Sequence, residues 1–124
     1  MTLAILHNPR CSTSRKALEA IEAAGAEVDV VRYLDSPLSE RAVLDLLEIL
    51  EDSPGDLVRR DATFEQLDLA ESDVDSPEKV AAVLADNPRL MQRPVLIAED
   101  VAIIGRPFDR VGPFIEEHGT KPAE

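Results

Sequence analysis

The sequence is poor in cysteine and in long apolar runs, and both shortages limit what it can be. Its 124 residues contain one cysteine, so an internal disulfide is excluded, and the expected states of that residue are thiol, thiolate or transient mixed disulfide. No apolar run is long enough for a transmembrane helix, and the N-terminus has neither a basic region nor a cleavage site for export. We therefore expect a cytoplasmic protein without a membrane partner.

Basic residues are also scarce: the chain contains 13 of them and 25 acidic residues, which gives a net charge of −12. Such a charge works against general binding to nucleic acid or to an anionic membrane. A phosphate-binding glycine loop and an aromatic-basic stripe are both missing. The four aromatic residues are expected to serve packing: Tyr33, Phe64, Phe108 and Phe114.

The basic residues that are present are mostly of one kind. Ten of the thirteen are arginine, whose planar guanidinium binds oxyanions through two parallel hydrogen bonds. An acidic chain can therefore still contain a local anion site.

The N-terminal quarter predicts a strand, a helix and a second strand. Residues 3–6 (LAIL) form a short apolar run typical of a buried strand. A helix then runs to Gly25, capped by Ser12 or Thr13, and its apolar positions recur at helical spacing. Residues 28–31 predict a second strand, which the intervening helix makes parallel to the first.

The rest of the chain predicts several helices, a hairpin and a final helix. Helix starts are expected at four places: Ser39, Ser53 before Pro54, Ser76 before Pro77, and a capping box at Thr63 to Gln66. Residues 95–104 predict an antiparallel hairpin around a Glu99-Asp100 turn. A last helix is expected over 108–118, although Pro113 within it should remove a hydrogen bond and bend the chain.

This order of elements predicts an α/β fold. It matches a thioredoxin-like core, βαβ followed by ββα in a mixed sheet, with a helical insert at about 36–90. The length predicts a single domain over residues 1–124.

Cys11 is predicted to lie at the N-terminus of the first helix. Backbone N–H groups there, together with nearby cations, lower the pKa of a cysteine and favour the reactive thiolate. His7 and Arg15 are close in sequence and could add positive potential. The alternative is a buried structural cysteine that behaves as a small apolar residue. The position of Cys11 at a helix N-terminus favours a reactive cysteine over a structural one.

A second thiol is missing where a CxxC redox pair would place it, because position 14 is a serine. If Cys11 becomes oxidised or covalently modified, no other thiol of the 124 residues can resolve it. Turnover must then use an external thiol, which predicts a partner of the glutathione type.

Two arginines directly precede prolines and are expected at the ends of the hairpin strands. Residues before proline favour extended conformations, so Arg93 and Arg106 can project towards the helix N-terminus and form an oxyanion site. Arg59 follows the apolar pair 57–58 and is a third candidate. The alternative for each arginine is a surface ion pair with one of the many carboxylates.

Four segments together carry a resemblance to a known family: HNPRCSTSR at 7–15, LVRR at 57–60, QRPV at 92–95 and GRP at 105–107. Their order and spacing resemble those of the glutaredoxin-linked arsenate reductases, the ArsC-like proteins of thioredoxin-like fold. The resemblance covers nearly the whole chain.

The resemblance implies a role for individual residues. Cys11 corresponds to the nucleophile that attacks arsenate, and His7 to the histidine associated with lowering its pKa. The oxyanion-binding residues correspond to Arg59, Arg93 and Arg106. Four further residues are predicted to support the site: Asn8, Ser14, Arg15 and Pro94, the last of them as a cis-proline.

The resemblance also implies the partners. Arsenate is the substrate and glutathione the co-substrate, which attacks the cysteine-arsenate adduct; glutaredoxin accepts the resulting disulfide, and arsenite is released. No bound cofactor is expected. Metal binding is not expected either, because Cys11, His7 and His118 lack the spacing of zinc ligands.

Two other functions stay open. One is an Spx-type regulator that binds RNA polymerase, although such proteins typically use a CxxC switch, which Ser14 removes here. The other is a glutathione-dependent thiol-disulfide protein without arsenate activity.

Overall fold

The computed structural model describes residues 2–119. Within that range the chain forms four β-strands and five α-helices: β1 (Thr2–Leu6), α1 (Ser12–Ala23), β2 (Glu27–Val31), α2 (Glu40–Ile49), α3 (Ala62–Gln66), α4 (Pro77–Asp86), β3 (Val95–Ile97), β4 (Ala102–Ile104) and α5 (Val111–His118). No helix in the described range has the length and apolar character needed to cross a membrane.

The chain separates into two structural units. The first contains the sheet with α1 and α5, and its described residues are 2–32 and 93–119; the second comprises residues 33–92 and contains α2, α3 and α4. The predicted α/β fold with a thioredoxin-like core and an inserted helical subdomain is confirmed. That residues 1–124 form a single domain stays a prediction.

The sheet of the first unit has the strand order β2-β1-β3-β4. Strand β1 pairs parallel with β2 and β3 pairs antiparallel with β4, as the sequence predicts. Strand β1 also pairs antiparallel with β3. The register places Leu6 beside Val95 and Val95 beside Ile104. The end of β1, the start of β3 and the end of β4 therefore share one edge, and the segments that continue beyond them emerge together.

Helices α1 and α5 pack on a common core with the sheet. Its buried members are Leu3, Ile5, Ala17, Ile21, Leu96, Ala98, Ile103, Val111, Phe114 and Ile115. Alternating apolar residues in the strands and helical spacing in α1 supply this core. Burial of these side chains is the main stabilisation of the unit.

Helix α1 begins one residue earlier than the sequence suggests. Its N-cap is Cys11, which is extended at φ −95° and ψ 122° and makes no side-chain capping bond. The expected cap at Ser12 or Thr13 is wrong, because both residues are already helical. After the helix, Gly25 has φ 75°, a left-handed conformation that glycine adopts without a Cβ clash.

The final helix accommodates its proline without a lost bond. A 3₁₀ turn at Phe108–Arg110 precedes α5, so Pro113 is the third residue of the helix. N–H groups in the first turn have no intrahelical acceptor, and a proline there removes nothing. The expected loss of a helical hydrogen bond is therefore wrong, and α5 runs without a break.

In the second unit α2 packs against α4, and each begins at its predicted cap. The hydroxyl of Ser39 accepts from the N–H of Ala42 at 3.1 Å, and that of Ser76 accepts from the N–H of Lys79 at 3.3 Å. These bonds satisfy N–H groups that the first turn leaves without partners.

The two other predicted helix starts differ from the structure: Thr63 is not the cap of α3, and Ser53 is the N-cap of a 3₁₀ turn and not of an α-helix. Helix α3 is capped by Asp61, whose Oδ1 accepts from the N–H of Phe64 at 3.2 Å, while Thr63 lies inside the helix. Ser53 makes no capping bond, and only a 3₁₀ turn at Pro54–Leu57 follows it. An aspartate directly before the first helical residue is as good a cap as threonine, and the capping-box pattern alone did not distinguish them.

Gly105 lies where the chain has no space for a side chain. A Cβ at this position would be 2.9 Å from Pro94 Cγ and 3.3 Å from Val111 Cγ2. Its N–H donates to the Pro94 carbonyl at 2.8 Å. This close approach holds the segment after β4 against the segment before β3.

We expect Gly105→Ala to lower the free energy of unfolding by about 1–3 kcal/mol, because the added methyl group overpacks the contact with Pro94. Gly112→Ala is the matched control. A Cβ there meets nothing within 4 Å, and alanine in place of helical glycine should stabilise by up to about 1 kcal/mol. Urea unfolding of both variants measures the two effects. Equal effects of the two substitutions would contradict the close contact at Gly105.

Candidate functional site

The cysteine lies at the end of a tight turn between β1 and α1. The N–H of Cys11 donates to the Asn8 carbonyl at 3.0 Å, and the side-chain oxygen of Asn8 accepts from the N–H of Arg10 at 2.9 Å. Cys11 is partly exposed, at the N-cap of a twelve-residue helix. The turn therefore presents the sulfur where the helix has unpaired N–H groups.

The buried Ser14 stabilises this turn by hydrogen bonds to His7 and Asn8. The hydroxyl oxygen of Ser14 accepts from the N–H of Asn8 at 3.1 Å and shares a hydrogen bond with Nδ1 of His7 at 2.7 Å. All three residues are buried, with exposed fractions of 7% or less. Because buried polar groups are costly without partners, this network fixes the path of the chain up to Cys11.

The surroundings of the histidine favour its uncharged form. Burial lowers the pKa of His7, and the positive charges of Arg32 and Arg15 lower it further. An uncharged imidazole adds no positive potential at Cys11. The structure instead connects His7 to the turn through Ser14, and its assigned part in catalysis stays a prediction.

Arg15 supports the same turn from the exposed side. Its Nη1 donates to the carbonyl of Pro9 at 2.9 Å. The guanidinium therefore links the first turn of α1 to the segment before Cys11. Asn8, Ser14 and Arg15, all predicted as supporting residues, contact the turn that carries the thiol; their supporting role in catalysis stays a prediction.

The surroundings of Cys11 favour its thiolate. Burial alone raises the pKa of the thiol, but the N–H groups of Ser14 and Thr13 and the side chain of Arg93 outweigh burial, so the pKa is lower than usual. The alternative of a sealed structural cysteine is not supported, because the side chain is partly exposed. A thiolate at this place is a nucleophile and not only a packing group.

Two arginines meet at this thiol. Nη1 of Arg106 lies 3.7 Å from Sγ of Cys11 and 3.3 Å from the carbonyl oxygen of Arg93. Both arginines precede cis peptide bonds, at Pro94 and at Pro107. The first cis bond is the one the resemblance implies, and the second was not anticipated. The strand register brings both turns to the edge where β1 ends.

Arg93 also has an unsatisfied donor. Its Nε is buried and has no hydrogen-bond partner among residues 2–119. Buried N–H groups in proteins nearly always have an acceptor, so one belongs here. Guanidinium groups beside a helix N-terminus bind tetrahedral oxyanions by charge-assisted hydrogen bonds, and the thiolate would face such an anion.

Arg59 belongs to the unit formed by residues 33–92. Its N–H donates to the Leu90 carbonyl at 2.7 Å, and its Nη1 lies 3.4 Å from Oδ2 of Asp61. The next residue, Arg60, binds both carboxylate oxygens of Glu71, at 2.9 and 3.0 Å, and so serves the structure of this unit. The assignment of Arg59 as an oxyanion ligand stays a prediction.

Two features of the site differ from the sequence prediction. Phe108 was expected in packing, but 41% of it is exposed, which makes that expectation wrong for this aromatic residue. The positioning role of Gly105 was missed, although a glycine directly before an arginine-proline pair signals a close backbone approach. No group of three or more potential metal ligands is gathered among residues 2–119.

Comparison with known proteins agrees with this geometry. A model of the ArsC family matches residues 6–114. The chain is 41% identical over 109 residues to the "Uncharacterized protein YfgD" of Escherichia coli K12, covering 86% of this chain and 91% of that one. An arsenate reductase of Neisseria meningitidis is 35% identical, with coverage of 86% and 92%.

A solved structure shows the same relationship. The arsenate reductase from Vibrio cholerae superimposes with a TM-score of 0.81 at 30% identity, covering 90% of this chain and 95% of that one. The family match covers most of the chain, and it includes the turn, the thiol and both arginine-proline pairs at the sheet edge. The protein therefore belongs to the ArsC family.

Proposed function

We propose that this protein is an oxidoreductase that reduces arsenate to arsenite, with Cys11 as its nucleophile. The observation that carries the proposal is the contact of the Arg106 guanidinium with Sγ of Cys11, 3.7 Å away, at the N-terminus of α1. A cation in this position both stabilises a thiolate and binds the anion that the thiolate attacks. Relatives named as arsenate reductases support the same substrate.

Arsenate binding would use the donors that the fold gathers at the sheet edge. Arsenate is a tetrahedral dianion like phosphate, and its oxygens suit the planar guanidinium groups of Arg93 and Arg106. The buried Nε of Arg93 would gain an acceptor, and the N–H groups at the start of α1 would bind another oxygen. Binding would thus remove an unsatisfied donor as well as neutralise charge.

The reaction begins with nucleophilic attack. The Cys11 thiolate attacks arsenic(V), a sulfur–arsenic bond forms, and one oxygen leaves as water after protonation. Reduction to arsenic(III) needs two electrons, and two external thiols supply them by becoming one disulfide. In sum, arsenate and two thiols give arsenite, a disulfide and water, and Cys11 returns to its thiolate.

The external thiols are required because Cys11 is the only cysteine of the chain. We assign the first thiol to glutathione, as co-substrate, and the second to glutaredoxin, which accepts the disulfide. His7 would act through Ser14 by fixing the turn that carries the sulfur. No bound cofactor takes part in this scheme.

Replacing the nucleophile tests the whole proposal. We expect Cys11→Ser to reduce arsenite formation to the uncatalysed background in an assay with arsenate, glutathione and glutaredoxin, because a serine hydroxyl is not ionised at neutral pH. Phosphate in place of arsenate serves as the substrate control.

Three outcomes would contradict the proposal. Arsenite formation that persists in Cys11→Ser would exclude this nucleophile. Glutathione-disulfide exchange by the wild type without arsenite would favour a thiol-disulfide protein. Capture of RNA polymerase by a protein inactive on arsenate would favour a regulator.

The role of the Arg93 guanidinium in binding arsenate can be tested by a conservative substitution. We expect Arg93→Lys to raise the KM for arsenate roughly tenfold, because an ammonium point charge cannot form the two parallel bonds of a guanidinium. Arg41→Lys is the matched control, since Arg41 lies exposed on α2 and pairs only with Asp45 among the ion pairs of the described residues, at 3.2 Å. Equal KM values for Arg93→Lys and Arg41→Lys would exclude Arg93 from the anion site.

The ionisation of Cys11 predicts a pH dependence. The hydrogen bond and the charge of Arg93 lower the pKa of this thiol, so Arg93→Ala should move the midpoint of iodoacetamide alkylation to higher pH, while Arg41→Ala should not move it.

The same shift predicts a pH-dependent stability, because the pKa of Cys11 is lower in the folded state than in the unfolded state. Thiolate formation therefore stabilises the fold at high pH, and this contribution disappears as the pH falls through the folded-state pKa. Unfolding of wild type and Cys11→Ser across that range measures it, and parallel curves would contradict it.

A further inference from the structure

The negative charge of the chain is unevenly distributed. The unit of residues 33–92 contains fifteen carboxylates against five basic side chains, which gives it ten of the twelve net negative charges. In the other unit, the three segments that build the site contain no acidic residue at all: residues 2–18, 93–98 and 101–108. About one residue in five of the whole chain is acidic, so these segments differ sharply from the rest.

Four exposed basic side chains belong to the segments that carry Cys11 or contact its sulfur, and we call them the basic rim: Arg10, Arg15, Lys16 and Arg106. Arg10 directly precedes Cys11, and Arg15 reaches back to the Pro9 carbonyl at 2.9 Å. Arg106 contacts the sulfur itself. Within this unit, the charged side chains of the segments that carry and contact Cys11 are therefore basic, although the chain as a whole is strongly negative.

An exposed aromatic residue lies beside this rim. Phe108 follows Arg106 by two residues, in the 3₁₀ turn that packs next to α1, and it is 41% exposed. It does not serve the core of its unit, which contains Phe114 instead. Exposed aromatic residues and arginines close together are typical of a protein interface, where they contribute most of the binding energy.

We propose that the basic rim and Phe108 form the docking surface for a polypeptide whose reactive cysteine is flanked by carboxylates. The proposal rests on the proposed function in one respect, namely that Cys11 exchanges with an external thiol. A partner sulfur that reaches bonding distance of Sγ brings its own neighbouring residues close to Arg106, which contacts the sulfur, and to Arg10, which directly precedes Cys11 in the chain. Carboxylates at those places pair with the rim, whereas basic residues are repelled by it.

Two synthetic peptides test the charge preference directly. Each contains one cysteine joined by a disulfide to 5-thio-2-nitrobenzoate, flanked by glutamates in one peptide and by lysines in the other. The Cys11 thiolate attacks the peptide sulfur, a new disulfide forms, and 5-thio-2-nitrobenzoate leaves with the electron pair of the broken bond, which absorbance records. The same peptides treated with 2-mercaptoethanol correct for their intrinsic reactivity.

We expect the glutamate peptide to react roughly tenfold faster than the lysine peptide at low ionic strength, and the difference to shrink in high salt. The net charge of −12 by itself favours the opposite order. A faster lysine peptide, or equal corrected rates, would overturn the proposal.

Variants identify the surface responsible. The double variant Arg10→Ser with Lys16→Ser should lose most of the preference, whereas Arg41→Ser, which removes an exposed arginine on α2, should keep it. Phe108→Ser should slow both peptides by a similar factor. Iodoacetamide alkylation at the wild-type rate shows that the thiolate of each variant is intact. A preference that survives in the double variant would exclude the rim.

This test is independent of arsenate. A protein that produces no arsenite but prefers the glutamate peptide would refute the proposed function and leave the docking surface standing. A protein that reduces arsenate without any charge preference would refute the docking surface alone.

Discussion

The register of three strands is the constraint on which the site depends. Because Leu6, Val95 and Ile104 lie side by side, the turn before Cys11, the turn at Arg93 and the turn at Arg106 must leave the sheet at one edge. A shift of one residue in either pairing would turn the side chains to the other face and separate the arginines from the sulfur. The glycine at position 105 then allows two of these turns to approach more closely than any side chain would permit.

At that edge, burial and hydrogen bonding act on the thiol in opposite directions. Partial burial opposes a negative charge, while the N–H groups at the start of α1 and the Arg93 side chain favour it, and the donors prevail. The donors are effective because they are already in place. Ser14 uses its hydroxyl for His7 and Asn8, so the backbone around the cysteine is fixed before any anion binds.

Much of the fold and of the candidate site could be predicted from the sequence, and the features that could not be predicted depend on competing local signals or on contacts between distant segments. The strands, the hairpin and the serine caps of α2 and α4 depend on local signals, and these predictions are correct. The cap of α3 and the start of α1 were misplaced because several polar residues within three positions can each accept the same N–H groups. The lowered pKa of His7 and the exposure of Phe108 depend on packing between distant segments, which spacing along the chain does not reveal. The arginines at positions 93 and 106 were predicted to converge because a proline follows each and a hairpin separates them.

A basic rim is compatible with a strongly acidic chain because electrostatic forces in salt are local. The screening length is about 8 Å at physiological ionic strength, so a partner close to Cys11 responds mainly to charges within a few side chains of the sulfur. The first eighteen residues contain no carboxylate, so Arg10 and Arg15 have no acidic residue within three positions of them in the chain. Such an absence would favour both proposed steps, since an arginine paired with a carboxylate is less available to an oxyanion or to an acidic partner. Fifteen of the 25 acidic residues belong to residues 33–92, so the net charge of the whole chain does not by itself decide the sign of the charge next to Cys11.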